Sequence, residues 1–244
     1  MSRIESLEGK SVALVGLGIS QVDFAIGLQN GRTWDEVWCI NSAASTYPCD
    51  RIFMLDPASR FFDTNDAGKQ TKVMCRVLEQ TETPVYTCEL DPRIKNPVMY
   101  PVEEVCNATK CAYLNNTVAY ALAYAVAEEV SDLHLYGIDF THKAVNFAEA
   151  GRACCEFWLA IAVSKGIKLH IANSSSLLDT NVSEDQKLYG YHRLDDPLIS
   201  TTTQGEMLIT KKSKLEPPEP LDATPNIIGR EDIPGVTFEE KKDV

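Results

Sequence analysis

The sequence predicts an α/β fold, Rossmann-like in organisation: a mostly parallel sheet with helices on both faces, followed by a disordered or extended C-terminal tail. Three observations carry this. Short apolar runs that end in polar residues alternate with longer segments of helical character, the pattern of buried parallel strands and their crossover helices. The first run ends in a small-residue turn, Gly16 to Ser20. From Lys211 the composition changes to five prolines in 34 residues with few large apolar groups, too little to build a core. The expected division is therefore a folded domain over 1–210 and a Pro-rich tail over 211–244, disordered or partner-binding.

Taken in order, SVALVGLG at 11–18 reads as a strand running into a tight turn, and the helix after it places Val22, Ala25, Ile26 and Gln29 on one face. EVWCIN at 36–41 and RIFMLD at 51–56 are buried strands with polar ends. The polar stretch from Pro57 to Thr81 holds a helix near Lys69 to Leu78, and PVYTC at 84–88 is a further strand. The region from Glu89 to Thr109 reads as loop-rich. An alanine-rich helix follows Asn116, with Val118, Leu122 and Val126 repeating every four residues and a side-chain cap at Asn115 or Asn116. DLHLYGIDF at 132–140 is a strand, Phe147 to Lys165 a helix and IKLHIA at 167–172 the last strand.

Bulk properties narrow the function classes. The chain has 244 residues, 44% hydrophobic and 24% charged, the profile of an ordinary folded protein. Its 23 basic against 35 acidic residues give a net charge of −12, which repels polyanions and disfavours nucleic-acid binding. No apolar run approaches the ~20 residues that span a bilayer and the N-terminus lacks a secretory signal, so the expected setting is cytoplasmic with no membrane partner. The eight cysteines are expected to be reduced and mostly buried, since they sit largely in apolar segments with no export signal, and the lack of a CxxC pair argues against a structural metal.

In an open parallel sheet the ligand crevice lies at the carboxyl ends of the strands. The residues that end these strands are Gly16, Gly18 and Ser20, then Asn41 and Ser42, then Asp56, then Asp139, Thr141 and His142. Gln21 stands where a GxGxxG fingerprint needs glycine, and Asn41 where a ribose-binding acid is expected, so NAD-dependent hydride transfer is not the reading. A small-residue turn and a helix N-terminus can still approach a phosphate through backbone N–H groups, and the start at Asn115 to Thr117 offers the same physics or simple capping. Asp139 and Asp56 are candidate Mg²⁺ ligands, and His142 or Glu149 candidate acid–base groups. The alternative for Asp139 is a cap on the turn after it. Glu149, Arg152 and Glu156 share a helix face, usually a solvated ion-pair ladder.

The motifs VALVGLGIS, CINSA, FMLDP, NNTVAYALAYAV, LHLYGIDF and EFWLAIAVSKGIKLHIANSSSLL resemble the DUF115 proteins, the 6-hydroxymethylpterin diphosphokinase MptE-like family, whose fold is similar to that of bacterial CMP-sialic acid-dependent sialyltransferases. The resemblance spans Ser11 to Asp179. It implies a nucleotide or nucleotide-sugar donor, with Gly16, Gly18, Ser20, Asn41, Asp56, Asn116, Thr117 and Asp139 on the family's pattern and Ile19 where that pattern has proline. The reading is a nucleotide-dependent, glycosyltransferase-like or diphosphokinase-like transferase with a small acceptor. Phosphates would lie at Gly18 to Ser20 and Asn116 to Thr117, and the base or ribose at Asn41 and Ser42. The competing class is a non-catalytic nucleotide-binding module whose tail engages a partner, and self-association is compatible with either.

Overall fold

The computed structural model describes residues 7–141, 144–183, 186–187, 198–201 and 207–210; the expected tail, 211–244, and His142 lie outside these. Seven strands, β1 (Ser11–Val15), β2 (Glu36–Ile40), β3 (Arg51–Phe53), β4 (Val85–Thr87), β5 (Pro97–Met99), β6 (Asp132–Tyr136) and β7 (Lys168–Ile171), form one sheet in the order β5-β4-β3-β2-β1-β6-β7. Every pairing is parallel, as expected. The chain builds outward from β1 to β5 and then returns to lay β6 on the other side of β1. The order therefore reverses between β1 and β6, and a crevice opens at such a point.

Alternation along the strands assigns the two faces. Val12, Leu14, Trp38, Phe53, Leu133 and Leu135 pack with α5 (Thr117–Ala127) and α6 (Val145–Ser164), while Ala13, Val15, Cys39 and Tyr136 pack with Phe24 of α1 (Gln21–Gln29). Farther out on the sheet, Ile52 and Val85 pack with Phe61 of the short α2 (Ser59–Phe62) and with Met74 and Leu78 of α3 (Gln70–Gln80). Helices thus cover both faces. The side chain of Asn116 accepts a hydrogen bond from Ala119 N–H (3.0 Å) and caps α5, the end the sequence marks.

Four local expectations change. The stretch from Glu89 to Thr109 is not simply loop: it holds β5 and α4 (Val102–Thr109). Pro97 opens an edge strand, where no ladder N–H is needed, and Glu103 and Glu104 favour the first turn of α4. The strand at 132–140 ends at Tyr136 because Gly137 takes φ +67°. In α1 the core-facing residue is Phe24, whereas Val22 and Ile26 are exposed, so the expected face is rotated outward. Only Cys39, Cys154 and Cys155 of the eight free cysteines are buried, and Cys88 is exposed.

By backbone contacts the chain forms two units, Met1–Val182 and Ser183–Val244. In the second, β8 (Leu198–Thr201) and β9 (Met207–Thr210) pair antiparallel. No helix among the described residues is long and apolar enough to cross a membrane.

Candidate functional site

A cleft of about 660 Å³ opens at the carboxyl edge of β1, β2 and β6. Of the residues singled out in the sequence, Gly16, Gly18, Asn41, Asp56, Asn116, Thr117 and Asp139 border it. Three do not. Ser20 is fully buried beneath the turn; Ser42 is buried and donates its hydroxyl to Gln70 Oε1 (3.2 Å); Glu149 is exposed on α6 away from the cleft lining.

The β1–α1 turn is tied to the end of β6 bond by bond. Gly16 N–H donates to the Tyr136 carbonyl (2.7 Å) and Gly18 N–H to the Gly137 carbonyl (2.7 Å). Gly137 N–H donates to Ser20 Oγ (2.8 Å). Ser20 N–H donates to Asp139 Oδ2 (2.8 Å), and its hydroxyl donates to Asp139 Oδ1. A Cβ on Gly18 would run into Asp139 Oδ2 and, at 2.9 Å, the Gly137 carbonyl oxygen. Asp139, 2% exposed, therefore places its carboxylate on the α1 start, where the helix dipole and the Ser20 donors stabilise it. Asp139 thus caps the α1 start through Ser20, across the sheet.

The start of α5 is built differently. Asn115 donates to the Ala150 carbonyl (2.9 Å) and Asn116 Nδ2 to the Gly151 carbonyl (3.3 Å), fixing the helix end against α6. Gly151 is required there, since a Cβ would meet the ring of Phe140 at 2.7 Å. Among the described residues, the N–H groups of Thr117 and Val118 have no acceptor, and neither do those of Leu17 and Ile19; all four residues border the cleft. Two others on its wall, Asn41 (φ 48°) and Phe140 (φ 51°), hold the left-handed conformation, which asparagine tolerates and phenylalanine adopts only under constraint. Asn41 Oδ1 is buried without a partner among the described residues.

The donor set does not suit a metal ion. Asp56 is paired with Arg60 (2.5 Å), both Asp139 oxygens are engaged by Ser20, and no three His, Cys, Asp or Glu side chains among the described residues gather around one point. The ladder on α6 is also absent as such: Arg152 donates to Ser176 Oγ (2.8 Å), and Glu156 accepts from Leu178 N–H (3.0 Å), both joining α6 to the loop after β7. Sequence reasoning missed Arg60, Gln70 and Phe147 as cleft residues. Arg60 carried a usable signal, four residues after Asp56 on a helical spacing; Gln70 carried none.

No protein-family model and no curated protein sequence matches the chain, so the DUF115 resemblance rests on the quoted motifs. Two solved structures of the sialyltransferase CstII from Campylobacter jejuni are similar to it. One, in complex with the substrate analogue CMP-3FNeuAc, is 15% identical, covers 68% of this chain and 81% of its own, and has a TM-score of 0.44. The other, with cytidine-5'-monophosphate, is 17% identical, covers 70% and 83%, and has a TM-score of 0.42.

Proposed function

We propose that the cleft binds a phosphorylated nucleotide, a nucleotide-sugar or a nucleoside triphosphate, and that the protein transfers a glycosyl or diphosphoryl group from it to a small acceptor. The observation that carries this reading is that four residues whose N–H groups have no acceptor among the described residues, Leu17, Ile19, Thr117 and Val118, line one cleft at the strand-order reversal. Such donors at a helix start favour an anion. Asn41, on the cleft wall, is the proposed contact to base or ribose.

In the transfer, an acceptor oxygen bonds to the transferred carbon or phosphorus while the bond to the donor's phosphate oxygen breaks. The charge that builds on the leaving phosphate meets the Thr117 and Val118 N–H groups and Arg60, donors already in position before reaction. The acceptor proton passes to a base, for which His142, next to the cleft-lining Thr141, is the proposed residue. No step is assigned to a metal.

One observation favours the non-catalytic alternative, nucleotide binding without transfer: both described carboxylates of the cleft are already engaged, Asp56 by Arg60 and Asp139 by Ser20. A calorimetric titration of nucleoside monophosphates, triphosphates and nucleotide-sugars, followed by assay of donor breakdown with candidate acceptors, separates the readings. Binding with turnover lost in His142→Ala supports the transferase; binding with no turnover under any condition supports the module; no binding at all removes both.

A further inference from the structure

We infer that a second hollow, separate from the cleft, binds a small zwitterion of the amino-acid type, its carboxylate on Arg32 and its ammonium on Asp23. The hollow, about 540 Å³, lies at the ends of β6 and β7 on the face that α1 covers. It shares no lining residue with the cleft. Arg32 and Asp23 both line it, and they carry opposite charges. Yet among the described residues they form no salt bridge, either with each other or with any other ion.

Each charge is held by a neutral partner instead. Arg32 Nη2 donates to His134 Nδ1 (3.1 Å), and the guanidinium carbon lies 5.6 Å from the centre of the Trp34 ring. His134 can accept because it is neutral: burial, together with the stacked His170 ring and Arg32, pushes its pKa down to about 4. Asp23 Oδ2 accepts from the Ser174 hydroxyl (3.0 Å) and N–H (3.4 Å). The other Arg32 donors and Asp23 Oδ1 have no hydrogen-bond partner among the described residues.

Tyr136 adds an independent observation. It is 4% exposed, its ring packs against Phe24 and Trp34, and it lines the hollow. Its hydroxyl makes no hydrogen bond among the described residues and yet is not sealed in, so it opens on the hollow. Buried polar groups are as a rule bonded; this one is presented to the cavity, within the fields of both Arg32 and Asp23. A bare carboxylate in the hollow would face Asp23, and a bare ammonium would face Arg32. A zwitterion satisfies both, with the tyrosine hydroxyl as a further donor to its carboxylate.

The test is calorimetric titration of the full chain with ω-amino acids from glycine to 6-aminohexanoate, each beside the carboxylate and the amine of the same length. At least one length should bind roughly tenfold tighter than both of its single-charge counterparts, the effect of a second charged contact. Arg32→Gln should remove that binding, and Asp23→Asn should reduce it to the level of the plain carboxylate. Tyr136→Phe, which keeps the packed ring, should weaken it roughly fivefold at unchanged melting temperature. Carboxylates or amines that bind as tightly as the zwitterions overturn the inference, as does absence of binding at every length. Zwitterion affinity unaltered in Tyr136→Phe and Asp23→Asn overturns it even if Arg32→Gln fails to fold. Nucleotide affinity should be the same in all three variants, and a change in it overturns the assignment of a separate hollow; a protein that binds no nucleotide at all leaves this inference standing.

Discussion

The starts of α1 and α5 both face the cleft, one after a glycine-rich turn and the other after two asparagines, and they do opposite things. At α1 the protein supplies its own anion: the Asp139 carboxylate takes the Ser20 N–H and hydroxyl, and the glycine N–H groups are bound to carbonyls of the β6 end. At α5 a neutral asparagine caps one donor, leaving Thr117 and Val118 open among the described residues. A helix start thus becomes a brace or a binding site according to whether a buried carboxylate is aimed at it from a neighbouring strand.

The sharpest way to break this comparison is Gly18→Val. If the α1 turn is a brace, the new side chain collides with Asp139 and the Gly137 carbonyl, and urea denaturation should show a loss of about 3 kcal/mol or more. Full stability with weakened nucleotide binding would instead make this turn a phosphate loop. Next comes Asp139→Ala, which leaves the buried Ser20 donors unsatisfied and should lose about 2–3 kcal/mol, with Asp139→Asn recovering a good part because the amide oxygen still accepts. An Asp139→Ala protein that melts like the parent would remove the brace.

Thr117→Pro probes the other side. Asn116 is extended (φ −158°, ψ 160°), the backbone a residue before proline prefers, and proline is tolerated at the first helical position. Stability should stay within about 0.5 kcal/mol while affinity for a nucleotide falls roughly tenfold, the effect of losing one charge-assisted hydrogen bond; Thr117→Val controls for the hydroxyl. Unchanged affinity in the proline variant would close the α5 site. The smallest effect belongs to Asn116→Ala, where loss of the cap should lower stability by about 1 kcal/mol in thermal denaturation.

The sheet was legible because its signal is local: each strand is a dense apolar run, and a polar residue marks its end. Gly16, Asn41, Asp56 and Asp139 were found on the cleft for the same reason, since the strand ends converge at one edge. What could not be read was direction. Nothing in LYGIDF distinguishes an Asp139 facing a ligand from one reaching across to Ser20, because the partner lies on another strand. The outward rotation of α1 escaped too, as Val22 and Ile26 carry a periodicity that Phe24, a single bulky residue, overrides in packing. The edge elements β5 and α4 were hidden by Pro97 and Pro101, which read as loop but sit where proline does no harm.

The register of β1 with β6 has a consequence for how the molecule comes into being. Ser11 is matched with Asp132, so throughout synthesis of the first five strands one side of β1 has no neighbour. That nascent sheet carries an open, apolar parallel edge, the kind of intermediate that associates wrongly or calls on chaperones. Closing so distant a contact is slow compared with forming the local β–α units before it. The docking of β6 is also the step that clamps the β1–α1 turn and finishes the cleft wall at Gly137 to Phe140. A chain truncated ahead of β6 would therefore lack both this cleft wall and the α6 carbonyls of Ala150 and Gly151 that hold Asn115 and Asn116, and ligand capture would report that the sheet has closed on both sides of β1.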